Sequence, residues 1–425
     1  VEHPVRALLG LAVFLAAMAL VIGRPRGLNE AWPAVGGAGG LAVLGLLTPA
    51  DLLAVARETG GILLFLLGMM IVSAALELAG VFAWAASYAA RASGGSGRRL
   101  LVNVFVLGAA VTAALSLDVT VIIVTPLVYA TVTALGVDPL PYLYACTFVA
   151  NTGSLVFPMS NLTNLLVTDG LRLPFWRFTA AMALPDAAAV AMNVAVFAWV
   201  FRDRLAGNLP TAPAKAVATR TPFFRGAAAV LALSLLGLFA AGLAERPLWP
   251  VALAAAAAMA GVAVATGGAS LPAIARGISW SLFPFVWGMD AIVRGVEHAG
   301  LMTGFARIVL GGHASPAARL VAAGGIAAAG ANVFNNIPMT LLMLGILPLA
   351  PRGDVMALAA ATLIGVNIGP ALTTAGSLAT ILWLAAVRRR GVEVPALEYL
   401  RIGAVTVPLV LAAALAALIL EGGLR

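Results

Sequence analysis

Four short polar clusters interrupt long apolar runs in this chain, and they hold the residue types best suited to binding a small solute. The first is Asp118 with Thr120, followed by Thr125-Pro126. The second runs through Asn151-Thr152-Gly153-Ser154 and Pro158 to Ser160-Asn161-Leu162-Thr163-Asn164. The third is Asn335-Asn336 with Pro338 and Thr340, and the fourth joins Asn367, Gly369-Pro370, Thr373-Thr374, Gly376-Ser377 and Thr380. Amides and hydroxyls offer neutral donors and acceptors. Each cluster also carries Gly or Pro, which break the i→i−4 ladder of a helix and free backbone groups to act as ligands. Asp118 is the one acid in these clusters. From Leu100 through Leu171 there is no Lys or Arg, and the other acids, Asp138 and Asp169, fall in expected loops. An acid in apolar surroundings without a cationic partner is a candidate for taking up and releasing a proton. Its alternative role is that of a neutral, hydrogen-bonded structural acid.

The elements that position these clusters must lie in a membrane. The chain has 425 residues, 62% of them hydrophobic and 10% charged, with a mean hydropathy of +1.05. A soluble chain would carry about 25% charged residues. The net charge of +8 does not indicate nucleic acid, because the arginines sit at the ends of apolar runs and not on one face. One cysteine, Cys146, cannot form an internal disulfide or a multi-thiolate metal site, and His3, His298 and His313 show no ligand spacing. There is no Walker loop, dinucleotide fingerprint or nucleophile elbow. A pump built from this chain must draw on an ion gradient or a separate ATPase, and no cofactor is expected. The first apolar run lacks a clear small-residue cleavage site and reads as a span, not a signal peptide.

Apolar stretches long enough to approach a crossing of about 20 residues are predicted at 7–22, 33–48, 61–79, 140–165, 178–201, 226–243, 250–266, 280–299, 357–384 and 402–420. Two more, 100–135 and 319–349, are interrupted near the middle, by Ser116-Leu117-Asp118 in one and by Asn332 and Asn335-Asn336 in the other. These read as re-entrant helical hairpins with polar tips, which are tolerated where protein or a cavity surrounds them.

An internal repeat organises the chain. Arg57 in AVARETG recurs as Arg276 in AIARGIS. Gly68-Met69 recurs as Gly288-Met289, and Glu77, Ala79 and Gly80 recur as Glu297, Ala299 and Gly300, all 220 positions on. Asp118 aligns with Asn336 at a shift of 218, and Asn151 and Gly153 align with Asn367 and Gly369 at a shift of 216. The fold class expected is an all-α membrane protein of two repeats, 1–203 and 226–425, joined by a connector at 204–225. Each repeat has five crossings and one hairpin, with broken helices at the midplane. Five is odd, so the second copy is inverted. Basic residues then crowd one side, among them Arg24, Arg26, Arg91, Arg98, Arg99, Arg204, Lys215, Arg220, Arg276 and Arg388–Arg390. Fewer lie on the other, including Arg6, Arg57, Arg172, Arg246, Arg319, Arg352 and Arg425, with Arg294 near a span end. The richer side is expected to be cytosolic, which places the connector inside and both termini outside.

Ser, Thr and Asn in membranes also serve as interhelical glue worth roughly 0.6–2 kcal/mol. Recurrence of the clusters beside Gly or Pro in both repeats favours a binding site. The expected site comprises Asp118, Thr120, Asn151, Ser160, Asn161, Asn164, Asn335, Asn336, Asn367, Thr373, Thr374, Ser377 and Thr380, with Asp118 coupling to protons. Glu77, Asp186, Asp290 and Glu297 are weaker candidates; Glu297 has Arg294 one turn away to pair with. With no Lys or Arg in the clusters, a neutral hydroxyl-rich solute or a small cation is expected in preference to an anion, which usually recruits Arg.

The segments LDVTVIIVTPLV, PMSNLTNLLVTDGL, NNIPMTLLML and GPALTTAGSLATILWL resemble those of the ArsB-type arsenite/antimonite efflux permeases, members of the ion-transporter superfamily, and the likeness extends over nearly the whole chain. One departure is Leu117, where the family pattern has an Asn before the hairpin acid, as Asn335 precedes Asn336. The resemblance implies efflux of trivalent arsenic or antimony, as the uncharged trihydroxide, across the bacterial cytoplasmic membrane in exchange for protons. It also implies an elevator-like movement of hairpins and broken helices against a scaffold. The implied partners are arsenite or antimonite, protons and the lipid bilayer. A soluble ATPase on the cytosolic face and a second copy of the chain are further candidates. Two rivals on the same fold are a sodium/proton antiporter, which predicts several carboxylates around a cation, and an anion/sodium symporter, which predicts Ser-Asn-Thr tips. Here Ser160-Asn161 is followed by Leu162, and the second repeat has Gly376-Ser377.

Overall fold

The computed structural model describes residues 4–207, 221–311, 315–351, 353–374 and 376–422. Lys215, Arg220, most of the predicted connector, His3, His313, Arg352 and Arg425 lie outside them. The described chain is all helical. In order it comprises α1 (Pro4–Gly23), α2 (Ala31–Val43), α3 (Pro49–Leu78), α4 (Val81–Ala92), α5 (Gly97–Ala114), α6 (Leu117–Val119), a π turn (Thr120–Val124), α7 (Thr125–Ala134), α8 (Leu140–Thr152), α9 (Leu162–Gly170) and α10 (Phe175–Val200). Then follow α11 (Pro222–Leu243), α12 (Trp249–Ala265), α13 (Leu271–Ala275), α14 (Leu282–His298), α15 (Met302–Leu310), α16 (Pro316–Phe334), α17 (Asn336–Ile346), α18 (Val355–Ile368), α19 (Leu378–Arg388) and α20 (Ala396–Gly422). Among the described residues, nine helical segments are long and apolar enough to cross a bilayer.

Both interrupted segments fold back on themselves. Thr120 Oγ1 lies 2.7 Å from Thr112 Oγ1 and 3.4 Å from the Gly108 carbonyl oxygen. A straight helix would hold residues twelve apart about 18 Å from each other, so the limb that begins with α6 returns along α5. The reversal occurs at Leu115-Ser116, where Ser116 is fully extended. In the second hairpin Gly330 of α16 faces Met339 of α17; a Cβ at Gly330 would stand 2.4 Å from the methionine sulfur.

Two predicted spans are broken. The 140–165 run divides into α8 and α9 around Gly153 and Pro158, and the 357–384 run divides into α18 and α19 around Gly369-Pro370. The 61–79 run is longer than expected: α3 begins at Pro49, behind a Thr48/Asp51 capping box. The polar Arg57-Glu58-Thr59 stretch does not end the helix, because Glu58 Oε2 pairs with Arg294 Nη2 of α14 at 2.5 Å and the Thr59 hydroxyl donates to the Val55 carbonyl of its own helix. The short helices α4 and α15 escape an expectation based on span length.

Small residues decide how the long helices meet, as is usual where lipid supplies no hydrophobic drive between them. A Cβ on Gly68 of α3 would lie 2.6 Å from the Ala252 carbonyl carbon of α12. A Cβ on Gly288 of α14 would lie 2.7 Å from the Ala34 carbonyl carbon of α2. Gly365 of α18 and Gly369, just beyond its end, press against Gly324 and Ala328 of α16. The hairpins engage the broken helices: the π turn and α7 pack on α19, and α17 packs on α9.

Candidate functional site

The first break is a nine-residue linker, Gly153 to Asn161, whose freed backbone groups are met by side chains. The Asn164 amide donates to the Ser154 and Phe157 carbonyls at 2.7 and 3.0 Å. Asp186 Oδ1 of α10 accepts the Leu155 N–H at 3.1 Å. Ser160 Oγ donates to the Ala113 carbonyl at 2.9 Å, tying the linker to the end of α5. Asn161 caps α9 by accepting the Thr163 N–H. Unmet backbone groups in a water-poor interior would cost about 1–3 kcal/mol each, so these contacts are what allow the helix to open.

The second break is held in a similar way. The Asn332 amide of α16 donates to the Gly369 carbonyl at 2.8 Å, and its oxygen accepts the Thr373 hydroxyl at 2.8 Å. Ser377 caps α19 by accepting the Thr380 N–H at 3.1 Å, with the two hydroxyls 3.0 Å apart.

Asn367 joins the two breaks. Its Oδ1 accepts from Asn161 Nδ2 at 2.7 Å and from the Thr163 hydroxyl at 2.8 Å, and its Nδ2 donates to Asn164 Oδ1 at 3.0 Å. All four side chains are buried. The end of α18 is thereby fastened to the start of α9 across about half the chain.

The first hairpin tip and the first break share a cavity of about 330 Å3. Asp118 and Ser116 line it from the tip, Asn161 from the break, Ser73 and Glu77 from α3, and Arg276 and Ser279 from the α13–α14 connection. Phe65, Met69 and Met159 supply apolar walls. The Asp118 carboxyl is half-buried and makes no hydrogen bond or ion pair with the described residues. Arg276 donates its Nε–H to the Pro272 carbonyl at 3.2 Å and has no carboxylate within ion-pair distance among the described residues. The sequence clusters lack a basic residue, yet tertiary packing brings this arginine to the same cavity, from a segment 158 positions further along the chain.

Other predicted residues sit elsewhere. Thr120 is fully buried between the hairpin limbs. Asn151 donates to the Thr147 carbonyl of its own helix at 2.9 Å. Asn336 receives the Ile337 N–H, and Asn335, at φ 75 and ψ 159, carries a buried side-chain oxygen with no protein partner. Asn335, Asn336, Thr373, Thr374, Ser377 and Thr380 do not line the 330 Å3 cavity. A second cavity of about 210 Å3 is lined by Glu58, Asp169, Asp290, Arg294 and Glu297 and by none of the thirteen predicted site residues. Sequence reasoning singled out neither Thr163 nor Asp186 as a structural tie. A hydroxyl two positions after a capping Asn, and an acid beside Pro185 in a span, were the available signals.

The profile of the arsenical pump membrane protein family matches residues 9–420. The chain belongs to this family. An arsenical pump membrane protein of Escherichia coli is 32% identical over 425 aligned residues, covering 97% of this chain and 99% of that one. One from Yersinia enterocolitica is 31% identical with the same coverage. The crystal structure of the YdaH transporter of Alcanivorax borkumensis, described as having an unusual topology, superposes with a TM-score of 0.62 at 16% identity, over 99% of each chain. At that identity the likeness concerns the fold. This member of the arsenical pump family is therefore a multi-pass membrane protein of transporter fold.

Proposed function

We propose that the chain exports trivalent arsenic or antimony across the cytoplasmic membrane in exchange for protons, with Asp118 as the coupling acid. One observation carries the proposal: an unpaired carboxyl at a hairpin tip, facing a cavity whose other tip and break groups are the neutral Ser116 and Asn161. A cavity of about 330 Å3 lies within the range of about 300–1,000 Å3 typical of small-molecule sites. The uncharged trihydroxide presents donors and acceptors on each arm, which hydroxyl and amide groups satisfy without a compensating charge. The family's printed description supports an arsenical substrate. Three-thiolate capture has no support, since the single thiol, Cys146, is fully buried.

In this reading Asp118 gives up its proton to the cytosol and substrate binds. After release outside, the carboxyl takes up a proton for the return. The two halves of the chain act as inverted repeats with the connector cytosolic and both termini outside. The exchanged packing of Gly68 on Ala252 and Gly288 on Ala34 supports this, since each matched glycine meets the other half through equivalent helices. A soluble ATPase or a second copy remains a candidate partner.

The test is arsenite accumulation in an arsenic-hypersensitive bacterium expressing the chain, with and without an uncoupler, alongside Asp118→Asn. Lowered accumulation that the uncoupler restores is expected, with Asp118→Asn resembling the empty strain. Accumulation unchanged by the wild-type chain overturns the substrate; full, uncoupler-sensitive export by Asp118→Asn overturns the role of the acid.

A further inference from the structure

Three charged side chains line the 330 Å3 cavity: Asp118 from the hairpin, Glu77 from α3 and Arg276 from the α13–α14 connection. Among the described residues none of them makes an ion pair. Some opposite charges elsewhere are paired, as Arg294 is with Glu58, Arg24 with Glu30 and Arg204 with Asp138, whereas Asp169, Arg172, Glu245 and Arg246, which line another cavity, are not among the ion pairs of the described residues. The elements that pack on α6 offer Asp118 no alternative counter-charge. They are α5, whose Arg98 and Arg99 stand at its opposite end, the uncharged π turn, and α8 with Tyr142, Tyr144 and Cys146. Arg276 is exposed, and its Nη groups have no partner among the described residues.

We propose that Arg276 is the residue that expels the coupling proton into the cytosol, by swinging onto the ionised carboxylate of Asp118 when the cavity is open to that side. This rests on the proton-exchange reading above and adds the device that makes proton release directional. An acid alone at an apolar tip holds its proton, because ionisation there would leave an uncompensated charge. A guanidinium brought within a few ångströms favours the ionised form. Arginine keeps its charge at every physiological pH and can bind a carboxylate through two parallel N–H groups. Arg276 belongs to the α13–α14 connection and Asp118 to the hairpin, so a movement of one against the other makes or breaks the pair. The proton then leaves only on the side where Arg276 stands. Arg276 is a positioning residue for the proton and not a substrate ligand. The cavity's other acid, Glu77, is exposed near the end of α3; a carboxylate brought close to Asp118 would act in the opposite sense and disfavour its ionisation.

The sign of the effect is testable. Removing the positive charge makes Asp118 hold its proton to a higher pH. Everted membrane vesicles carrying the full-length chain expose the cytosolic face, and arsenite uptake into an acidified lumen is measured against external pH. For Arg276→Gln the half-maximal rate is expected at least one pH unit higher than for the wild type. That is about a fivefold loss at the pH where Asp118 would otherwise be half-ionised, approaching about tenfold at more acid pH, with the rate recovering at alkaline pH. Arg276→Lys is expected to stay near the wild-type midpoint, and Glu77→Gln to leave it in place or lower it. An Arg276→Gln profile that overlays the wild type, or one reduced equally at every pH, overturns the proposal. Glu77→Gln reproducing the Arg276→Gln shift overturns it too, since it would make Glu77 the partner of Arg276. The underlying reading fails separately, if Asp118→Asn still takes up arsenite in response to the proton gradient.

Discussion

The two hairpins reverse direction in similar places, yet their tips face different surroundings. At the first, Ser116 is extended, Asp118 is acidic, and both line an open cavity. At the second, Asn335 and Asn336 are neutral and buried, and Asn335 adopts φ 75, ψ 159. That region suits glycine and costs other residues about 1–3 kcal/mol. The breaks differ too. An acid on α10, Asp186, accepts a freed N–H in the first, and an amide on α16, Asn332, donates to a freed C=O in the second. On the proposed mechanism the halves do distinct work: the first presents the titratable group, and the second brings Arg276 to its cavity and supplies neutral support through Asn367 and the close seam between α16 and α18. Under the proton-exchange proposal this difference fits a single coupling group, since a second acid at the matching tip would add another proton to each cycle.

The seam is where this division can be broken most severely. A Cβ at Gly365 would stand 2.2 Å from the Gly324 carbonyl oxygen. Gly365→Ala is expected to destabilise by about 3 kcal/mol or more, read as loss of monodisperse protein in detergent and a collapsed melting transition. Next comes Asn367→Ala, which removes three buried hydrogen bonds between the breaks. It is expected to cost about 2–3 kcal/mol and to lower arsenite export at least tenfold. A double-mutant cycle with Asn161→Ala in thermal melts should be clearly non-additive, and additivity would sever the proposed link. Asn335→Gly should relieve the strained tip and raise stability by about 1 kcal/mol, visible as a higher melting temperature. A lower one would mean that the asparagine side chain holds the tip together. The smallest effect is expected for Asn151→Ala, the counterpart of Asn367. It loses one bond within its own helix, worth about 0.5–1.5 kcal/mol; a loss of export equal to that of Asn367→Ala would erase the asymmetry.

Much of the architecture was legible in residue types. Apolar runs located the long helices, and Gly153, Pro158 and Gly369-Pro370 marked helices that do break there. The polar interruptions at Ser116 and Asn335 marked two reversals of the chain. The start of α3 was hidden because Arg57-Glu58-Thr59 looks like a helix end until Arg294 is seen beside Glu58. Within the candidate site, Thr120 and Asn151 share composition with Asn161 and Asn367 but serve their own hairpin and helix, a difference that composition does not record.

By itself the sequence determined that this is a helical membrane protein with paired interruptions and a lone acid at one of them. Lipid and the backbone hydrogen bond demand those features locally, residue by residue. Only the tertiary structure decided that Asp118 shares its cavity with Arg276, that Asn367 joins two breaks, and that Asp186 and Asn332 hold those breaks open. Helices that are apolar nearly all round carry little periodic trace of which face meets which neighbour. Contacts between residues tens to hundreds of positions apart therefore follow from close packing of small side chains in three dimensions, and that packing is set by the whole chain at once.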